Sequence, residues 1–126
     1  MGHLNDLESH GQAVWLDFVD RKFLNEGGLV KLVKEDGVTG VTSNPSIFEK
    51  AMGHGTAYDE SLAAFDKANP DASAMARYEH LAIEDIQNAA DTLRPIYDRL
   101  NGKDGYVSLE VSPKLAEDTD GTIAEA

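Results

Sequence analysis

Cysteine is absent from this sequence of 126 residues. Its absence excludes a disulfide framework, a thiolate nucleophile and a zinc site with thiolate ligands. A chain without disulfides fits the cytoplasm, which is the expected location. Long apolar runs are missing as well, because no stretch approaches the roughly 20 residues of a membrane-spanning helix, and no signal-peptide pattern opens the chain. The sequence therefore predicts a soluble protein.

Basic residues are scarce. The chain carries 11 Lys and Arg against 23 Asp and Glu, which gives a formal net charge of -12. Binding to nucleic acid or to an anionic membrane surface depends on neutralising phosphates with Lys and Arg, so neither partner is expected. The histidines stand at no metal-ligand spacing, and no metal site is expected. They are His3, His10, His54 and His80.

The remaining composition is that of a globular protein, with 41% hydrophobic and 27% charged residues. A chain of this length buries one core, and residues 1–126 are predicted to form one unit. Hydrophobic patterning predicts three strands and several helices. The strands are Ala13–Phe18, Val38–Thr42 and Tyr106–Val111. The helices are Leu4–His10, Gly28–Glu35, one that begins after Thr42, Thr56–Lys67 and Ser73–Leu100.

The sequence leaves two features of these helices undecided: the start of one and the effect of a proline in another. The helix after Thr42 begins either with Asn44 as cap and Pro45 in the first position, or with a capping box at Ser46. The helix Ser73–Leu100 is predicted to be kinked or divided by Pro95. Its apolar stripe from Met75 to Leu93 is predicted to be core.

The order of strand, helix, strand, several helices and strand predicts an α/β fold with a parallel sheet wrapped by helices. Three apolar parallel strands leave edges and faces that nothing in the sequence covers. Asp118-Thr119-Asp120 also has the pattern of a helix cap, and residues 122–126 that of the first turn of a helix that does not continue, so an incomplete fold is expected. Exposed sheet edges favour homo-oligomers, which a solution mass from light scattering distinguishes from a monomer.

Polar side chains stand at the carboxyl end of each predicted strand: Asp17, Thr42 with Asn44, and Glu110. Ligands of parallel α/β proteins bind where these strand ends meet. Two carboxylates and an amide suit proton transfer and recognition of a hydroxylated substrate. The structural alternative is that both carboxylates bond to loop backbone and that Asn44 only caps a helix.

Three blocks carry a family resemblance: "GQAVWLDFVDR", "EDGVTGVTSNPSIFEKA" and "DGYVSLEVSPKLAEDTDGTIAEA". In this order they resemble transaldolase, in particular the longer bacterial type that is sometimes fused to phosphoglucose isomerase. The resemblance implies a (β/α)8 TIM barrel. Such barrels take about 250 residues, so this chain matches the amino-terminal part with the first three strands.

The resemblance also implies an activity. Transaldolases transfer a dihydroxyacetone unit between sugar phosphates in the pentose phosphate pathway through a Schiff base, without metal or organic cofactor. By motif, Asp17 would handle the proton of the hydroxyl at the cleaved bond, and Glu110 would act as acid and base through a water. Thr42 and Asn44 would hold hydroxyls of the dihydroxyacetone unit.

The Schiff-base lysine of the family lies on the fourth strand, and its phosphate-binding arginines lie further on. The lysines of this chain fall on predicted helices or loops, so no transaldolase activity is expected from these 126 residues alone. Two alternatives stay open. One is a folded, self-associating fragment without catalysis, and the other is a related lysine-dependent aldolase that cleaves sugar phosphates without transfer.

Overall fold

A two-stranded parallel sheet forms the centre of the computed structural model, which describes residues 3–126. The strands are β1 (Val14–Asp17) and β2 (Val38–Thr42), whose bounds match the prediction for the second strand and shorten the first at both ends. The pairing steps from Val14 opposite Val38 to Trp15 opposite Gly40. This one-residue irregularity sets the register of the remaining pairs, from Trp15 with Gly40 to Asp17 with Thr42.

The predicted third strand, Tyr106–Val111, is wrong in its extent. Only Val107 pairs, in one parallel bridge to Val41 on the edge of β2 away from β1. Val41 N donates to Tyr106 O at 3.0 Å and Ser108 N to Val41 O at 2.9 Å. Beyond this point the Ser43 hydroxyl donates to Ser108 O at 2.6 Å. Pairing ends there because β2 stops at Thr42 and its chain turns into a helix.

Helices surround the sheet. They are α1 (His3–Ser9), α2 (Arg21–Asn25), α3 (Gly28–Asp36), α4 (Pro45–Gly53), α5 (Asp59–Ala68), α6 (Ala74–Arg99) and α7 (Thr119–Glu125), with a 3-10 turn at Pro113–Leu115. The sequence reading missed α2 and the 3-10 turn, which are too short to show helical periodicity. Asp20 nevertheless provides a start signal for α2, because its side chain accepts a hydrogen bond from Phe23 N.

The start of α4 decides between the two predicted caps. Asn44 is extended and its side chain accepts from Ile47 N, with Pro45 in the first helical position, so the first alternative is confirmed. Helix α6 runs unbroken through Pro95, and the predicted division does not occur. Pro95 and Asp91, whose carbonyl loses its helical donor, are both exposed, so water can satisfy that oxygen.

The core lies between the sheet and helices α3, α4 and α6. Leu29, Phe48 and Leu93 are at most 1% exposed and fill it from these three helices. On the predicted stripe of α6, Ala82 and Ala89 are buried with Leu93, but Met75 is 48% exposed and lies outside the core. From Tyr78 onward the stripe lies in the core or packs against it.

The face of the sheet opposite this core carries Trp15. Its indole lies over Gly40, where a Cβ would collide with the ring. The indole Nε1 donates to Asp104 Oδ1 at 3.1 Å, and Thr39 Oγ1 donates to Asp104 Oδ2 at 2.6 Å. Asp104 thereby ties both strands to the segment that follows α6, and Gly40 leaves room for the indole beneath the candidate site.

Candidate active site

Asp17 and Thr42 meet at the carboxyl ends of β1 and β2. They are register partners in the parallel ladder, and the Thr42 hydroxyl donates to Asp17 Oδ1 at 2.7 Å. Asp17 is exposed, and its second oxygen, Oδ2, accepts no hydrogen bond from any residue between 3 and 126. One carboxylate oxygen is thus held by the protein while the other is open to a ligand.

Asn44 follows Thr42 by two residues and serves as the cap of α4. Its Oδ1 accepts from Ile47 N at 2.9 Å, as the structural alternative expects. Its Nδ2 group donates to no other residue in the described part of the chain. The amide is therefore oriented by the helix and keeps two N–H donors for a hydroxylated ligand.

Glu110 lies in a different setting. It is exposed and lines a cavity of about 400 Å³, together with Tyr78 and Glu79 of α6 and with Pro45. Asp17, Thr42 and Asn44 are not among the lining residues, and Glu110 makes no hydrogen bond to them in the described chain. Because pairing ends at Ser108, strand alternation no longer sets the direction of Glu110. A hollow shared by all four side chains stays a prediction.

The charge of Glu110 affects Tyr78, which lies on α6 and lines the same cavity. Burial raises the pKa of the Tyr78 phenol, and the negative charges of Glu79 and Glu110 raise it further. Tyr78 therefore remains a protonated, neutral side chain near Glu110 at neutral pH.

None of the lysines lies in a strand, and all of them are exposed. They are Lys22, Lys31, Lys34, Lys50, Lys67, Lys103 and Lys114. A lysine amine becomes nucleophilic near neutral pH when burial or a neighbouring cation lowers its pKa. No lysine of this chain lies in a water-excluded pocket within residues 3–126.

Comparison with known proteins identifies the family. The family model described as Transaldolase/Fructose-6-phosphate aldolase matches residues 14–126. The chain belongs to this family. It is 48% identical over 126 residues to a transaldolase of Thiobacillus denitrificans, covering 100% of this chain and 34% of the relative. The identity to a transaldolase of Thermobifida fusca is 47% over 123 residues, with 98% of this chain and 33% of the relative covered.

A third relative, transaldolase 2 of Nostoc sp., is 43% identical over 126 residues and is covered to 32% of its length. The chain thus spans about a third of the length of the curated relatives it matches. Its parallel strands and flanking helices are consistent with part of the TIM barrel that the transaldolase resemblance implies. The expected α/β class is confirmed.

This transaldolase-family chain also contains a buried polar network that sequence reasoning missed. Arg21 Nε donates to Asp85 Oδ1 at 2.8 Å, and Arg21 Nη2 donates to Glu84 Oε2 at 3.0 Å. The Tyr58 hydroxyl donates to Asp85 Oδ2 at 2.6 Å. One signal was available, because Asp85 stands four residues from Leu81 and from Ala89 on the buried side of α6.

Burial governs the titration of this network. It raises the pKa of Asp85, although hydrogen bonds from Tyr58 and Arg21 oppose the shift. It raises the pKa of Tyr58 as well, and the adjacent Asp85 carboxylate adds to the rise, so the phenol remains a donor. Burial alone would lower the pKa of Arg21, but Asp85 and Glu84 raise it overall and keep the guanidinium charged.

Among residues 3–126, no group of three or more His, Asp or Glu side chains is arranged to hold a metal ion. No helix in this range has the length and apolar character needed to cross a bilayer.

Proposed function

We propose that this chain is the amino-terminal part of a transaldolase, which transfers a dihydroxyacetone unit between sugar phosphates. The observation that carries the proposal is the Thr42 hydroxyl bound to Asp17 at 2.7 Å, at strand ends of a chain from this family. The relatives named transaldolase favour transfer over simple cleavage. The pentose phosphate pathway and a cytoplasmic location come from the family resemblance and belong to this proposal.

The proposed chemistry uses a Schiff base between the ketose carbonyl and a lysine that the rest of the barrel supplies. Asp17 Oδ2 accepts the proton of the substrate hydroxyl next to the bond to be cleaved. The carbon that carried this hydroxyl becomes a carbonyl. The carbon–carbon bond breaks, and its electron pair flows to the iminium nitrogen. The Thr42 hydroxyl holds Asp17 Oδ1 meanwhile, so the accepting oxygen keeps a defined position.

Recognition and water chemistry fall to the other strand-end residues. The free Nδ2 donors of Asn44 bind hydroxyl oxygens of the dihydroxyacetone unit, with Thr42 beside them. Glu110 exchanges protons through a water when the Schiff base forms and is hydrolysed. Because the lysines of this chain are all exposed, we expect no catalysis from the 126 residues by themselves.

A transfer assay on the complete product of the encoding gene tests this proposal. A ketose phosphate donor is incubated with and without an aldose phosphate acceptor, and the new ketose phosphate and free dihydroxyacetone are measured. A transaldolase forms the new ketose phosphate only when the acceptor is present. Free dihydroxyacetone released equally without acceptor would instead indicate the aldolase alternative. The absence of both products would contradict the transaldolase and the aldolase assignments alike.

A further inference from the structure

The chain that follows Asp17 is anchored within a few residues. Val19 is 1% exposed and belongs to the core, and Asp20 caps α2 through Phe23 N. Arg21, the first residue of α2, is 8% exposed despite its charge. The connection between β1 and α2 is therefore fixed by three successive residues that begin two positions after the candidate proton acceptor.

Arg21 binds the opposite helices with its backbone and its side chain. Its backbone N–H donates to Tyr58 Oη at 3.1 Å, just before α5 begins. Its guanidinium reaches α6 at three places, Asp85 Oδ1, Glu84 Oε2 and the Leu81 carbonyl oxygen at 3.1 Å. The same guanidinium lies 4.5 Å from the centroid of the Tyr58 ring. Residues 37 to 64 positions apart in sequence are thus joined at one point.

Tyr58 links the two kinds of contact. Its hydroxyl accepts from the Arg21 backbone and donates to Asp85 Oδ2 at 2.6 Å. Tyr58 is 4% exposed and Asp85 is fully buried. No buried side-chain nitrogen or oxygen within residues 3–126 lacks a hydrogen-bond partner. A buried network whose members are all satisfied rigidifies its surroundings and favours one arrangement.

We propose that Tyr58 and Arg21 are positioning residues for Asp17. They hold the connection between β1 and α2, so that the Asp17 side chain keeps one orientation with Oδ1 on the Thr42 hydroxyl and Oδ2 free. The importance of this orientation for catalysis rests on the proposed function, but the orientation itself does not. Neither residue forms a hydrogen bond with Asp17 within residues 3–126. Arg21 acts through the backbone that joins it to Asp17, and Tyr58 acts through its hydrogen bond to the Arg21 backbone.

The test replaces Tyr58 with Phe in the 126-residue chain and measures the orientation of Asp17 by NMR. Three-bond couplings to Asp17 Cγ report whether one staggered χ1 rotamer dominates or several interconvert. Tyr97→Phe is the matched control, because the Tyr97 hydroxyl makes no hydrogen bond within residues 3–126. Dispersed amide spectra establish that each variant is folded at the temperature of measurement.

We expect the single-rotamer couplings of Asp17 in the unchanged chain and in Tyr97→Phe, and their loss in Tyr58→Phe. Arg21→Lys is the second variant, since an ammonium group cannot reproduce the forked contacts to Asp85 and Glu84, and the same loss is expected. A merely structural network would lower the unfolding temperature and leave the Asp17 couplings unchanged. Unchanged couplings in either folded variant, or averaged couplings in the unchanged chain, overturn the proposal.

The transfer assay and the NMR couplings distinguish a failure of the proposed function from a failure of the positioning role. If the complete gene product transfers no dihydroxyacetone unit while the couplings change as expected, the proposed function is wrong and the positioning role stands. If transfer is observed while the couplings stay unchanged, the positioning role is wrong and the proposed function stands.

Discussion

Replacing Asp17 with Asn in the complete gene product should lower kcat by about 10²- to 10⁴-fold, the usual contribution of a positioned proton acceptor. The asparagine Oδ1 can still accept from the Thr42 hydroxyl, so the local geometry is retained. Its amide cannot take the proton of the substrate hydroxyl. Because the side chain is exposed, stability should change by less than about 0.5 kcal/mol. Steady-state kinetics of transfer and thermal unfolding measure the two effects.

Asp91→Asn is the matched control for this experiment. Asp91 is exposed on α6 and makes no hydrogen bond or ion pair within residues 3–126, so this variant should keep full activity. A kcat for Asp17→Asn within twofold of the unchanged enzyme would show that Asp17 transfers no proton in the rate-limiting chemistry. A loss in both variants would show that the assay responds to surface charge.

The second large effect concerns stability. Arg21→Met should lower the free energy of unfolding by about 3–5 kcal/mol, as is typical when one partner of a buried ion pair is removed. The change leaves Asp85, whose side chain is fully buried, without its cation, whereas Glu84 keeps Ser61 and His80 as neighbours. Whole domains are stable by about 5–15 kcal/mol, so the variant should be partly unfolded at moderate urea concentrations. Urea unfolding followed by circular dichroism measures the loss.

Arg94→Met serves as the control for the arginine variant. Arg94 pairs with Asp98 one helical turn away, and its side chain is 70% exposed, so its removal should lower the free energy of unfolding by less than about 0.5 kcal/mol. Equal urea midpoints for the two variants would mean that the buried network contributes no more than a surface pair.

Local signals predicted the elements that place the site. A run of β-branched residues interrupted only by Gly40 predicted β2, and the Asn44-Pro45 pair was one of the two predicted starts of α4. Both signals depend on residues adjacent in sequence, so no knowledge of distant contacts was needed. The polar strand ends followed from the same local patterns.

The pairing of Asp17 with Thr42 could not be predicted in this way. Without the irregularity after Val14, uniform pairing would place Asp17 opposite Val41. At the shift Trp15 lies over Gly40, a contact between residues of different strands. Local patterns do not show such contacts, and they likewise could not reveal that β2 offers no backbone partner beyond Ser108.

The network around Arg21 was hidden for a related reason. Its partners lie on α5 and α6, and a charged residue after a strand is ordinarily exposed. Only the folded arrangement shows that Arg21 and Asp85 satisfy each other away from water. Such long-range polar contacts are the part of the candidate site that the sequence leaves open.

Borohydride trapping tests most directly whether the Schiff-base lysine of the proposed mechanism lies outside residues 1–126. The 126-residue chain and the complete gene product are each reduced in the presence of a ketose phosphate, and intact mass and peptide mapping locate any adduct. We predict an adduct on a lysine outside residues 1–126 of the complete product, and none on the 126-residue chain. An adduct on any of the exposed lysines of this chain would contradict the account.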